Sequence, residues 1–187
     1  MHLFLMSVLA IATAGVGGCS GSHQVSIDDD ITLSGDHVSL HVSGRPDAEI
    51  SAAGDLSIGS TAVSVTPAQR ELLKSYYNDA VAVRDHGIAT GLAGANVAGT
   101  ALSSVAKGLA SGNTDKIDAE VNASADKVEA QAANICADLQ RIHVTQDALS
   151  AQLEAFRPYA TVAASRVDDC TSSTKEHGHG GPGDGHQ

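Results

Sequence analysis

The chain has 187 residues and a formal net charge of −11 at pH 7, with 22 Asp and Glu against 11 Lys and Arg. This charge disfavours nucleic acids and anionic lipid head groups as partners, because both are negatively charged. Only 3% of the residues are aromatic and there is no Trp. Each buried residue therefore removes little apolar area from water, at about 25 cal/mol per Å², and the core would benefit from covalent support.

The N-terminus has the pattern of an export signal. Residues 3–16, LFLMSVLAIATAGV, are too few to span a bilayer but suit the apolar core of a signal peptide. The small residues that precede Cys19 form a sequence that resembles a bacterial lipobox, whose cysteine is acylated. We therefore expect a lipoprotein signal peptide at 1–18, then acylated Cys19 and a flexible tether over 19–30. Ser20 favours the outer membrane in that sorting pattern. No Lys or Arg precedes the apolar run, so plain export and a retained membrane helix stay open as alternatives.

A strand pattern follows the tether, beginning near residue 23 and placed chiefly at 31–66. Apolar and polar residues alternate in Val38–Val42, Leu56–Ile58 and Val63–Val65, and turn residues separate these runs. The pattern predicts an antiparallel β-meander of about four short strands with one apolar face. So small a sheet needs another element packed on that face.

Residues 67–170 are predicted to form a helical hairpin or bundle, which makes the fold class α+β. Thr66 is a suitable N-cap, Pro67 suits the first helical position, and Gln69 can complete a capping box. The first helix is expected to close near Asp85-His86-Gly87.

A second long helix is expected between Thr114 and Arg157, where the sequence has no Gly or Pro. Apolar residues recur every seven positions from Val121 to Phe156, as in a coiled-coil seam, although Gln146 interrupts a second apolar row. Such a helix would reach roughly 60 Å. Its weakest part is the stretch around Val144 and Thr145, where it could bend.

Between these helices, residues 87–106 carry no charged side chain. Small residues recur there at every fourth position: Gly87, Gly91, Ala95, Gly99 and Ser103. Such a stripe lets two helix backbones approach closely. We favour packing within the chain, while oligomer packing and membrane insertion stay open.

The remaining candidate residues are cysteines and histidines. If Cys19 is acylated, Cys136 and Cys170 remain to form a disulfide in an oxidising periplasm. Residues 171–187 have the composition of a disordered Gly/His-rich tail. Weak candidates for a transition-metal ligand lie in it: His177, His179 and His186. No other metal and no cofactor is predicted, and His86 and His143 are expected to be isolated polar groups.

Several segments together resemble the YggN-like family of bacterial envelope proteins. They are PDAEISAAGDLSIGSTAVSVTPAQRELLKSYY, ICADL and QLEAFRPYATV, and the likeness covers about residues 25–170. The resemblance implies an exported α+β envelope protein and supplies no catalytic or binding residues.

The sequence contains no phosphate-binding loop, nucleophile elbow or His-Glu-x-x-His motif. We therefore expect no enzymatic activity. The expected function is a structural or interaction role for an outer-membrane lipoprotein that faces the periplasm, with the lipid anchor, a second copy or an envelope protein as partner. The alternatives are a membrane-active protein that inserts residues 87–106 and weak metal binding by the tail.

Overall fold

In a computed structural model, which describes residues 24–28, 30–111 and 115–177, an antiparallel sheet is followed by long helices. This confirms the α+β fold class. The strands are β1 (Gln24–Asp28), β2 (Ile31–Ser34), β3 (His37–Leu40), β4 (Ala48–Ser51), β5 (Leu56–Ile58) and β6 (Thr61–Val63). The helices are α1 (Pro67–Ser111), α2 (Asp115–Gln152), a short 3₁₀ helix (Glu154–Tyr159) and α3 (Ala164–His177). The predicted signal peptide, Cys19, His179 and His186 lie outside the described residues.

The sheet has six strands in sequence order, each antiparallel to the next, where about four were expected. β1 lies within residues 19–30, which were expected to be a tether, and it begins where the strand pattern was expected to begin, near residue 23. Val25 of β1 lies opposite Leu33 in the β1–β2 register. The predicted apolar face is confirmed: Val38 and Leu40 of β3 are fully buried, and so is Ile50 of β4.

One face of the sheet is covered by the first turns of α1 and the last turns of α2. Leu73 and Tyr76 of α1, Ile142 and Leu149 of α2, and Phe156 of the 3₁₀ helix are all fully buried. The rings of Tyr76 and Phe156 meet edge to face, with centroids 5.9 Å apart. We call this part the base: the sheet, residues 67–83 and residues 136–162.

The predicted capping box at the start of α1 is confirmed. The Thr66 backbone N–H donates to Oε1 of Gln69 at 2.9 Å, and the Gln69 N–H donates to Oγ1 of Thr66 at 3.3 Å. The Gln69 side chain also donates to the carbonyl of Gln152 at 2.8 Å. This bond joins the first turn of α1 to the last residue of α2.

Both predicted helix ends differ from the structure. α1 does not close near Gly87 but continues to Ser111, because a glycine costs a helix about 1 kcal/mol without breaking its hydrogen-bond ladder. α2 is continuous past Val144 and ends at Gln152, five residues before the predicted end. Leu153 is extended, with φ −131° and ψ 96°, and Pro158 cannot continue an α-helix.

The chain therefore returns toward Cys136 from a shorter helix than expected. The 3₁₀ helix and residues 160–163 lead into α3, which contains Cys170 and continues to His177. The predicted disordered tail began at Thr171, so the structure places its first seven residues in a helix.

Candidate functional site

Beyond the base, α1 and α2 continue side by side as a two-helix arm, which we define as residues 84–111 and 115–135. The helices are antiparallel, since the side chain of Asp79 contacts Arg141 and that of His86 contacts Asp138. Of the arm side chains that the structure describes, at 84–103 and 122–135, none is fully buried. At 1.5 Å per residue, α1 extends about 40 Å past its last fully buried residue, Val83.

A cluster of four charged or titratable side chains lies where the arm meets the base. The carboxylate of Asp138 is only 1% exposed. Its Oδ2 lies 2.5 Å from Nδ1 of His86, and its Oδ1 accepts a hydrogen bond from Arg141. Nε of Arg141 donates to Asp79 at 2.8 Å. The hydrogen bond to Asp79, followed by the charge of Asp138, raises the pKa of the Arg141 guanidinium.

This cluster corrects the expectation that His86 is an isolated polar group. Residues of α1 (Asp79 and His86) meet residues of α2 (Asp138 and Arg141), and a one-turn slip of either helix would separate them. A buried carboxylate without its partners is strongly destabilising. The cluster therefore favours one register of the two helices. The sequence offered only one sign of it, the spacing of three between Asp138 and Arg141 on one helix face.

Next to the cluster, α3 is held against α2 by a covalent bond. The sulfur atoms of Cys136 and Cys170 are 1.98 Å apart, and their Cα atoms are 5.5 Å apart. Cys136 is buried, and Val167 is the one buried apolar side chain of α3 within residues 164–173. The disulfide therefore supplements an attachment that buries little apolar surface of α3.

Two polar residues of α2 hold the chain that returns from the 3₁₀ helix. Gln146 is 2% exposed; its amide nitrogen donates to the carbonyl of Val162, and its Oε1 accepts from the Val162 N–H at 3.2 Å. Nδ1 of His143 lies 2.8 Å from the same carbonyl. His143 is thus not isolated, and the interruption at Gln146 in the apolar row has a structural role. The sequence alone gave no sign of this pairing.

The predicted stripe of small residues does not pack within the chain, so that interpretation was wrong. Its members, Gly87, Gly91, Ala95, Gly99 and Ser103, are all exposed. A Cβ added at Gly87, Gly91 or Gly99 would meet nothing within 4 Å. The reason is the rotation of the helix: α2 lies against the side of α1 that carries Gly94 and Val97, which the stripe does not include.

An apolar row does lie along the exposed side of α1. Ile88, Leu92 and Leu102 are 52%, 63% and 76% exposed, and Ala95 and Gly99 lie between them. We call these five residues the outer seam. Of the four large apolar side chains exposed in the described chain, three belong to this seam, and the fourth is Val144 of α2.

On the opposite side of α1, the arm contains an open groove of about 690 Å³. Its walls are almost wholly apolar and are formed by Gly94, Val97, Ala125, Val128, Glu129, Ala132 and Ser173. Small residues on both facing helices leave this space unfilled. The contact between α1 and α2 is therefore looser in the arm than in the base.

The structure gives no metal site among the residues it describes. No group of three or more His, Cys, Asp or Glu side chains there is placed to hold a metal ion. Nδ1 of His37 contacts Asp36 at 2.8 Å, while His41 lies between Thr32 and Asp47, each at 3.0 Å. Within the same residues, no helix combines the length and the apolar character needed to cross a membrane.

Comparisons with protein-family models, curated proteins and solved structures give no match to this chain. The resemblance to the YggN-like family therefore stays a prediction.

Proposed function

We propose that the protein is a non-enzymatic envelope lipoprotein that presents its two-helix arm to a helical partner. Lipid on Cys19 would attach it to the outer membrane, facing the periplasm. The observation that supports this role is the outer seam. An acidic chain exposes three large apolar side chains in one row on a helix whose residues 87–106 carry no charge.

The division between base and arm supports this proposal. The base holds the fully buried core, and the charged cluster of Asp138 fixes how α1 leaves it. The arm has no fully buried side chain in its described part, so it contributes little to the stability of the fold. A long helical pair that is not needed as a core is free to serve as a contact surface.

The anchor is supported by the sequence before the described residues. An apolar run of signal-peptide length ends at small residues and Cys19, and a disulfide at Cys136 and Cys170 suits a compartment that oxidises thiols. The acyl chains would contribute about 0.8 kcal/mol per buried methylene to membrane attachment. Attachment confines the arm to a thin layer, which favours weak contacts.

Site-specific photocrosslinking in intact cells tests the role. A photoreactive phenylalanine analogue replaces Leu92 in the outer seam in one variant and Val144 in the control, whose side chain is 59% exposed. We expect a discrete crosslinked product from position 92 and none from position 144. Equal labelling at the two positions, or none at position 92, would contradict the proposal.

A further inference from the structure

We infer that the partner of the outer seam is a second copy of this chain, paired antiparallel along α1. The inference rests on the proposed function, since it names the helix that the arm meets.

The spacing of the outer seam is that of a coiled-coil core. From Ile88 through Leu92, Ala95 and Gly99 to Leu102 the intervals are four, three, four and three residues. This is the alternation of d and a positions in a heptad repeat. At 100° per residue, Leu92 and Leu102 point away from the groove beside α2 that Gly94 and Val97 line. Ile88, at the end of the seam nearest the base, also lines a second groove with Ile135 of α2. α1 can therefore keep its contact with α2 and pair with another helix on its other side.

The part of the seam from Leu92 to Leu102 is complementary to itself when one copy is reversed. In a two-fold arrangement centred at Val97, each a position faces a d position, so Leu92 lies opposite Leu102 of the second copy. Ala95 then lies opposite Gly99 of the second copy at the centre of the interface. Every contact occurs twice, as a two-fold interface requires. The small pair at the centre lets the backbones approach and the leucine pairs on either side make contact.

Charge favours the same partner and the same orientation. Each copy has a net charge of −11, and like charges that face each other across an interface cost several kcal/mol in a protein complex. Residues 87–106 contain no charged side chain, so two copies can meet there without opposed carboxylates. The reversed arrangement also places the base of one copy and the base of the other, both negatively charged, at opposite ends of the paired helices.

The size of the seam sets the strength of the pairing. Residues 92–102, which pair in this arrangement, cover about 15 Å of a helix about 10 Å wide, or about 150 Å² of footprint on each copy. Stable complexes bury about 800 Å² per partner. The dimer is therefore weak and transient in solution, and anchoring in one membrane would raise the effective concentration.

Sedimentation velocity on residues 19–187 with Cys19→Ser tests the pairing from about 10 μM to about 1 mM, a range that covers weak complexes. We expect a reversible monomer–dimer equilibrium. Leu92→Glu and Leu102→Glu each place two buried charges in the dimer and should weaken it about 100-fold. Val144→Glu, equally polar but on α2, should leave the equilibrium unchanged. The three substituted side chains are exposed in the monomer. Circular dichroism should therefore show the same helix content in the parent protein and in the three variants.

Disulfide trapping tests the orientation. Leu92→Cys and Leu102→Cys proteins, mixed under mild oxidation, should form a crosslinked heterodimer in preference to either homodimer. A monomer at all concentrations, an equal effect of Val144→Glu, or preferred trapping of Leu92→Cys with itself would overturn the inference. If the chain stays monomeric while position 92 crosslinks a different protein in cells, the inference fails and the proposed function stands. If position 92 crosslinks nothing, both fail.

Discussion

Breaking the disulfide between Cys136 and Cys170 should release α3 from the base. The bonded residues are 34 apart, and closing a loop of that length lowers the entropy of the unfolded chain by an amount worth about 4 kcal/mol at 25 °C. Within the folded state, the apolar attachment of α3 is the burial of Val167, worth about 1.5–2 kcal/mol. α3 has 14 residues, and a helix of this length is marginal alone in water. We therefore expect the disulfide to contribute most of the attachment of α3.

The perturbation is Cys136→Ala with Cys170→Ala in the Cys19→Ser chain, and the assay is hydrogen exchange read by mass spectrometry. Residues 164–177 should exchange at nearly the rate of an unfolded peptide, while strands β2 to β4 keep their protection. Urea unfolding should show a loss of about 2–4 kcal/mol. Chemical reduction of the parent protein is the control and should reproduce both effects. If α3 stays protected in the double variant, the reasoning that the disulfide contributes most of its attachment is refuted.

Three further predictions concern stability measured by urea unfolding. Gly91→Ala should stabilise the chain by about 1 kcal/mol because its Cβ meets nothing within 4 Å and alanine favours the helix. Gly54→Ala should destabilise it because φ is +76° and the added Cβ would collide with the backbone oxygen of Arg70. Tyr76→Phe should stabilise the fold by about 1 kcal/mol, since the buried hydroxyl has no hydrogen-bond partner among the described residues. Burial also raises the pKa of the Tyr76 phenol; above about pH 10 the unfolded state releases this proton first and stability falls, a loss that Tyr76→Phe should reduce. Gln146→Leu should cost about 1–3 kcal/mol although it restores the apolar row, because the buried N–H of Val162 loses its acceptor.

Each of these has a matched control and a contradicting result. Ala95→Gly should lose about what Gly91→Ala gains, and a destabilising Gly91→Ala would show that the exposed side of α1 is already packed. Tyr77→Phe changes a partly buried tyrosine of the same helix, and an identical alkaline profile for both variants would remove Tyr76 from the explanation. Gln140→Leu makes the same exchange at an exposed position of α2, so a loss in Gln146→Leu no larger than that in Gln140→Leu would remove the Val162 bond from the explanation.

Local patterns allowed the framework of the fold to be predicted, but not the way its helices meet. The capping box of Thr66 and Gln69 involves residues three apart, and the alternation in β3 needs only the period of a strand; both are legible in a short stretch of sequence. The end of α2 depends on Leu153 and the packing of Phe156 beneath the sheet, which a repeat of apolar residues does not reveal.

The sequence allowed the residues of the uncharged segment in α1 to be predicted as a contact surface, but the side of α1 that packs against α2 was predicted incorrectly. The uncharged segment 87–106 was recognised, but which side of α1 faces α2 depends on contacts between residues far apart in the sequence, such as that of His86 with Asp138, 52 residues away. Small residues at every fourth position indicate a surface that can approach another helix without indicating whether that helix is in the same chain. Gln146 was read as an interruption because its partner is a backbone group and not a side chain.

The proposed envelope role depends most on the attachment of the folded part to a membrane through Cys19. Intact mass spectrometry of the protein extracted from its own cells measures this directly. We predict a chain that begins at residue 19 and carries fatty acyl groups on that cysteine. A mass equal to residues 19–187 without lipid, or one that still includes residues 1–18, would contradict the account.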